Sequence, residues 1–389
     1  MVALLSPDSA VASAAEGGIA VVRLLLRDFR NYRFLDARFD APVVVLAGPN
    51  GAGKTNLLEA LSLLGPGRGL RGARLADIDR RGGAGFQVTA ELSTPYGPSE
   101  IRCWHEPHSG RRQWQLDGRG RDRRVLGGFV PLLWATPDLD RLFADPPAAR
   151  RRFLDRLVAA LDPDHRPRVA AFERGLRERA QLLQAARPDP LWLGAVERRL
   201  AELGVAIAAA RLQLVRALEE ELERTPPGFP RPMLRLCGAL EEAVAGAPAL
   251  EVEGWLQEQL KAGRARDAES GGASLGPHRS DWTAVVADSG EPAAQASTGR
   301  QKALVLALLL AQARLMVREL GVGPLVLLDE FAAHLDAQRR MAFLGAVLDL
   351  SSQIWLTGTE PALFEALSGR ALFVHIRDGL LVEVGFHAP

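Results

Sequence analysis

The densest chemistry in the chain lies in eight consecutive residues, Gly48-Pro49-Asn50-Gly51-Ala52-Gly53-Lys54-Thr55. They fit the pattern GxxxxGK[ST] at every fixed position, after a β-branched run from Val43 to Ala47 and ahead of a helical pattern from about Lys54 to Leu64. In that context glycines let successive backbone N–H groups turn inward around phosphate oxygens, and the helix N-terminus adds its positive end. Lys54 is placed to reach the terminal phosphates and Thr55 to ligate Mg2+. The chain has only three lysines (Lys54, Lys261 and Lys302) against 45 arginines, so a compact ammonium in this loop stands out. A second candidate is Leu325-Val326-Leu327-Leu328-Asp329-Glu330, an apolar strand running into two carboxylates. Asp329 there can orient the magnesium ion, and Glu330 a water aimed at the terminal phosphate. The third is Ala296-Ser297-Thr298-Gly299-Arg300, where a hydroxyl, a glycine amide and a helix start make a second anion site. Alone, an acidic pair after a strand is also a helix cap, and Ser-x-Gly is also an ordinary N-cap. Beside the glycine loop, all three point to ATP and Mg2+.

These residues need a sheet to hold them. Val21 to Leu26 and Val43 to Ala47 read as strands, and Phe86 to Leu92, Glu100 to Trp104 and Arg112 to Leu116 as an antiparallel meander between Gly/Pro turns. Pro324 to Leu328 is a continuous apolar strand of the kind buried on both faces of a parallel sheet, preceded by a long helix from Arg300 to Leu320. Leu372 to Ile376 and Leu380 to Val384 flank Arg377-Asp378-Gly379, a hairpin signal. From about Asp138 to Gly263 the pattern is helical. Leu193, Val196, Leu200, Leu203, Ile207, Ala210, Leu214 and Ala217 recur at steps of three and four, as in a coiled-coil seam. The preceding helix ends at Pro188-Asp189-Pro190, so the two should pair antiparallel, either as a projecting arm or as a hairpin packed on a globular body. The division expected is a loose extension over 1–20, an α/β head over 21–137 and 264–389, and an inserted helical domain over 138–263.

Composition sets the outer bounds. With 389 residues, 47% hydrophobic and 24% charged, the chain can fill ordinary cores, which excludes a disordered tail or a small stapled scaffold. Cys103 and Cys237 give no disulfide framework and suit a reducing compartment. The N-terminus lacks a basic region and an apolar core of signal length, and no run of eighteen apolar residues occurs, so the expectation is a cytoplasmic protein without a membrane span. The net charge of +1 is silent on partners, but residues 61–130 hold 12 Arg against 7 acids whereas 320–389 hold 4 Arg against 8. Arg68, Arg71 and Arg74 come after the glycine-loop helix, and Arg121, Arg123 and Arg124 lie in an arginine cluster around Trp114. These six are the candidate contacts to a polyanion such as a nucleic-acid backbone; the alternative is a solvated arginine-rich face.

The order of the three motifs resembles that of ABC-type ATPases, in which a Ser-x-Gly signature binds the γ-phosphate held by the other subunit. Four further segments narrow the resemblance: Phe29-Arg30-Asn31-Tyr32, Lys54 to Ala60, Arg151-Arg152-Phe153-Leu154-Asp155 after Pro137-Asp138-Leu139, and Gly276-Pro277-His278-Arg279. Together they are similar to the RecF family over about Val21 to Val384. The resemblance implies an ABC-type P-loop ATPase head, with a mixed sheet and an antiparallel subdomain, and an inserted coiled-coil-like helical domain. It implies a weak, DNA-stimulated ATPase that dimerises on ATP to clamp duplex or gapped DNA. Such a protein serves recombinational repair and the SOS response, assists RecA loading with RecO and RecR, and lets go on hydrolysis. Carried over by motif, Gly48 to Asn56 bind ATP, Thr55 and Asp329 hold Mg2+, and Lys54, Asp329 and Glu330 are catalytic. Ser297 and Gly299 reach across the dimer, and Asp336 sits in the dimer-facing loop. Three positions depart from the wider pattern: Arg300 stands where glutamine is common, Thr357-Gly358-Thr359 where a switch histidine is common, and Asp138 is the substitute for a missing magnesium-loop glutamine. Other readings are a chromosome-maintenance-like DNA scaffold, a transporter-type ATPase subunit, which needs a membrane partner, and a small-molecule kinase, which needs an acceptor pocket.

Overall fold

The computed structural model describes residues 18–65, 67–108, 110–120, 129–331 and 335–386. Most of the expected 1–20 extension, together with Arg121, Arg123 and Arg124, lies outside them. Strands β1 (Ala20–Phe29), β2 (Tyr32–Arg38) and β3 (Val43–Ala47) lead to helix α1 (Lys54–Ser62) and the single turn α2 (Leu75–Ile78). Next come β4 (Gln87–Ser93), β5 (Ser99–Glu106), β6 (Arg111–Leu116), β7 (Arg119–Gly120) and β8 (Leu132–Ala135). Helices α3 (Pro147–Leu161), α4 (His165–Leu183) and α5 (Pro190–Leu222) are next, then β9 (Pro232–Cys237), α6 (Ala239–Gly246), α7 (Ala249–Ala262), α8 (Arg264–Ser270) and β10 (Asp281–Val286). The chain closes with α9 (Thr298–Leu320), β11 (Leu325–Leu328), α10 (Ala337–Leu348), β12 (Ile354–Gly358), β13 (Leu372–Arg377) and β14 (Leu380–Gly385). No helix among the described residues is long and apolar enough to cross a membrane.

These elements form two compact units. The first contains the described residues up to Asp140, Thr225–Phe229, and those from Thr298 onward. Its first sheet has the order β2-β1-β4-β5-β6-β7, antiparallel throughout, as the meander pattern predicts. The second has the order β14-β13-β3-β12-β11-β8, parallel except for β14. Every residue of β3, β11 and β12 is buried, which explains the uninterrupted apolar runs of β3 and β11. At the β13–β14 turn Asp378 (φ 51°) and Gly379 (φ 74°) both take the left-handed conformation that a tight hairpin demands.

The second unit comprises Arg141–Arg224 and Pro230–Ser297. Residues 264–297, grouped with the head by sequence, cluster here because β10 pairs antiparallel with β9 over six residues. That pairing joins stretches nearly fifty residues apart and leaves no local periodicity to read. Helix α5 is buried on a wider stripe than a coiled-coil seam: Ala201, Gly204, Val205, Ala208, Val215 and Leu218 are buried besides Leu193, Val196, Leu200, Ile207 and Leu214. It packs on α3, α4, α6, α7 and β9, so the helical pair belongs to a globular body and not to a projecting arm. Two of the RecF-like segments meet on this helix. Arg211 makes a bidentate pair with Asp155 at 2.8 and 2.9 Å and donates from Nη1 to the Pro277 carbonyl at 2.6 Å. Deeper in the unit, Arg179 donates to Glu197 (3.0 Å), Asp267 (2.9 Å) and the Leu260 carbonyl (2.6 Å), all out of water.

Candidate nucleotide site

Parallel strands align their carboxyl ends, and in open α/β sheets that edge is where ligands bind. Here β3, β12, β11 and β8 stand side by side, so the residues just past each strand land on one edge. The glycine loop extends from β3, Thr357 lies at the end of β12, Asp329-Glu330 extends from β11, and Thr136-Pro137-Asp138 from β8. The hydroxyl of Thr55 donates to Asp329 Oδ1 at 3.0 Å across 274 residues of sequence. Thr357 Oγ1 donates to the same oxygen at 2.7 Å and accepts the Glu330 N–H at 2.8 Å. A cavity of 330 Å³ opens beside this cluster, lined by Thr55, Leu70, Arg71, Pro137, Asp138 and Asp329.

The glycine loop is stiffened from outside. Gly48, Gly51 and Gly53 have φ of 146°, 81° and 117°, conformations that side chains other than glycine rarely adopt. Tyr32 donates its hydroxyl to the Gly53 carbonyl at 3.0 Å, Asn31 its amide to the Ala52 carbonyl at 3.2 Å, and Gly379 its N–H to the same carbonyl at 2.9 Å. A Cβ on Gly53 would come within 2.6 Å of Asn31 Nδ2 and 2.8 Å of the Tyr32 hydroxyl. Arg30 completes the brace with two 2.8 Å bonds to Glu59, fully buried on α1. By sequence alone Phe29 to Tyr32 carry only a resemblance; the structure gives three of the four a mechanical role against the loop.

Lys54 is 5% exposed, and its ammonium donates to the Gly48 and Pro49 carbonyls at 2.6 and 2.9 Å. Burial pulls its pKa below the ordinary lysine value, opposed by the nearby Glu330 and Asp329 carboxylates. Glu330 is exposed with φ 48°, a left-handed backbone that costs a non-glycine residue about 1–3 kcal/mol. Its N–H is held by Thr357, and its carbonyl accepts from Lys302 Nζ at 3.0 Å.

Two further candidates, Asn56 and Arg71, join this hydrogen-bonded group through Asn31 and Glu59. Ser297 is exposed and Gly299 half-buried at the start of α9. Asp336 caps α10, accepting the Arg339 N–H at 2.8 Å, and is exposed. Asn56 bonds Asn31 at 2.8 Å. Arg68, Arg71 and Arg74 are all exposed, and Arg71 also donates to Asn56 (2.7 Å) and Glu59 (3.1 Å) and borders the cavity. His278 bonds the Ala273 carbonyl at 2.9 Å, a structural contact in the second unit.

Relatives share this architecture. A family model described as an AAA domain matches residues 23–68. A protein of Mesorhizobium japonicum called DNA replication and repair protein RecF is 44% identical over 365 residues, covering 92% of this chain and 96% of its own. The chain belongs to the RecF family. A RecF of Rhizobium meliloti is likewise 44% identical, over 93% of this chain and 98% of the relative. RecF is also the fold: the solved recombination mediator protein RecF-ATPrS superimposes with a TM-score of 0.84 at 21% identity, covering 95% of this chain and 99% of that one. An SMC head matches at TM-score 0.54 and 17% identity over 94% and 96%. The RecF architecture here is therefore the ABC-type P-loop ATPase head joined to a helical body.

Proposed function

We propose that this RecF-family protein binds ATP and Mg2+ at the β3 loop, dimerises on ATP around duplex or gapped DNA, and assists RecA loading with RecO and RecR in recombinational repair and replication. The observation that carries the reading is the 3.0 Å bond between Thr55 and Asp329, which brings two hard oxygen donors together at the sheet edge. A hydroxyl and a carboxylate suit Mg2+, which takes one or two protein ligands and completes its shell with water and phosphate. When bound, the ion offsets charge on the terminal phosphates. The buried Lys54 ammonium and the inward-turned loop suit a polyanion, so Gly48, Pro49, Asn50, Gly51, Ala52, Gly53, Lys54, Thr55 and Asn56 would cradle ATP. Glu330 orients the attacking water and accepts its proton, with Asp329 and Lys54 as the other catalytic groups. Ser297 and Asp336, exposed at two helix N-termini, and the half-buried Gly299 would meet the nucleotide held by a second copy.

Thr357 in place of a histidine fits weak hydrolysis that DNA stimulates and that works as a release switch. Arg68 and Arg74, with Arg71 and the arginines at 121, 123 and 124, would neutralise DNA phosphates. With chromosomal DNA as partner the protein works in the cytoplasm, and its loss should blunt the SOS response. The test is light scattering of Glu330→Gln without nucleotide, with ADP and with ATP, each with and without duplex DNA. A dimer with ATP only, strengthened by DNA, is expected; a monomer under every condition would overturn the reading.

A further inference from the structure

Lys302 has no part in the proposed nucleotide chemistry, yet it is one of only three lysines and is 4% exposed. It lies in the first turns of α9, the helix that Ser297 and Gly299 open. Its ammonium donates to the Glu330 backbone carbonyl at 3.0 Å and pairs with Asp140 Oδ2 at 3.2 Å. Asp140 belongs to the turn Pro137–Arg141 just past β8. One ammonium therefore ties three segments together behind the residue whose backbone is left-handed. A non-glycine residue keeps that conformation only where its surroundings hold it. Here the holding is two-sided: Thr357 takes the N–H on one side of the Glu330 α-carbon and Lys302 the carbonyl on the other. Rotating either peptide plane would swing the Glu330 carboxylate along the sheet edge, and misplacement by about 1 Å can cost a reaction two orders of magnitude.

We propose that Lys302 is a positioning residue for Glu330, fixing the backbone of the hydrolytic carboxylate from the helix that carries the serine signature, with Asp140 aiming the ammonium. This deepens the reading of Glu330 as the hydrolytic group and rests on it. The ammonium never meets nucleotide in this role. Its loss acts on turnover and spares affinity.

The experiment compares the full-length protein with Lys302→Met, Lys302→Arg, Asp140→Asn and Glu330→Gln. Three quantities are read: steady-state ATP turnover, the dissociation constant for a fluorescent ATP analogue with Mg2+, and the urea midpoint of unfolding. Lys302→Met should lower kcat about tenfold or more with affinity within about twofold of the parent, the split that marks a loss confined to the chemical step. Lys302→Arg should recover at least half of the lost rate, since a guanidinium can still donate to the carbonyl and pair with Asp140. An unchanged kcat, or affinity and kcat falling together at an unchanged urea midpoint, overturns the proposal. Should Lys302→Met lose its fold, Asp140→Asn decides: a lower kcat at parental affinity supports the role and a parental kcat refutes it. Full turnover by Glu330→Gln would instead remove the underlying site reading, whatever Lys302 does.

Discussion

Replacing Thr357 separates hydrogen bonding from packing at the sheet edge. The side chain is fully buried, and its hydroxyl makes two bonds: one to the Asp329 carboxylate at 2.7 Å, one from the Glu330 N–H at 2.8 Å. Thr357→Val keeps the shape and removes both. A bond to a charged group contributes about 1.5–3 kcal/mol and a neutral one about 0.5–1.5, so the loss is about 2–4.5 kcal/mol. Thr357→Ser keeps the hydroxyl and removes one methyl, worth about 1 kcal/mol with its small cavity. The two variants are thus expected in an order opposite to the one packing alone would set. Native-state hydrogen exchange of peptides spanning β11 and β12 reads this locally. Exchange limited by opening of this edge should speed up roughly thirtyfold to about two-thousandfold in Thr357→Val and only about fivefold in Thr357→Ser. ATP turnover should fall in the same order, because the Glu330 backbone loses one of its two restraints. If Thr357→Ser exchanges faster than Thr357→Val, or both stay within about twofold of the parent, the hydroxyl bridge is not what holds this edge.

Two further expectations concern the loop and the helical body. Gly51→Ala puts a Cβ into open space at φ +81° and should cost about 1–2 kcal/mol, whereas Gly48→Ala, at φ +146°, drives its Cβ to 2.2 Å from the Ile376 carbonyl oxygen and should cost clearly more; equal urea midpoints would refute the close-approach argument. Burial holds His278 below the usual histidine range, against an opposing hydrogen bond to the Ala273 carbonyl. Below about pH 6.5 the unfolded chain therefore takes up a proton that the folded chain refuses, and stability falls as pH drops toward the folded-state value. His278→Gln should flatten that part of the stability curve below about pH 6.5, and an unchanged slope in urea midpoints would exclude His278 as its source.

The parts of this protein legible in one dimension are those whose physics is local. A glycine loop needs particular residues at fixed offsets because backbone N–H groups must converge, so Gly48 to Thr55 announce themselves. A strand buried on both faces must be apolar throughout, which marks Leu325 to Leu328 and, with them, Asp329 and Glu330. An Asp-Gly turn and a period of three and four mark the final hairpin and the long helices in the same way. What only the tertiary structure decided is which distant groups share a hydrogen bond. Thr357 and Lys302 reach Asp329 and Glu330 from about 28 residues away, Lys302 reaches Asp140 across 162, and β9 finds β10 across a helical stretch. Asn31 and Tyr32 brace a loop 21 residues later in the chain, and Arg30 the helix that follows it, 29 residues on. None of these partners is fixed by spacing. A polar side chain at a strand end or a helix start is compatible with solvent, a cap or a buried bridge, and only the strand order β3-β12-β11-β8 chooses among them by placing those ends side by side.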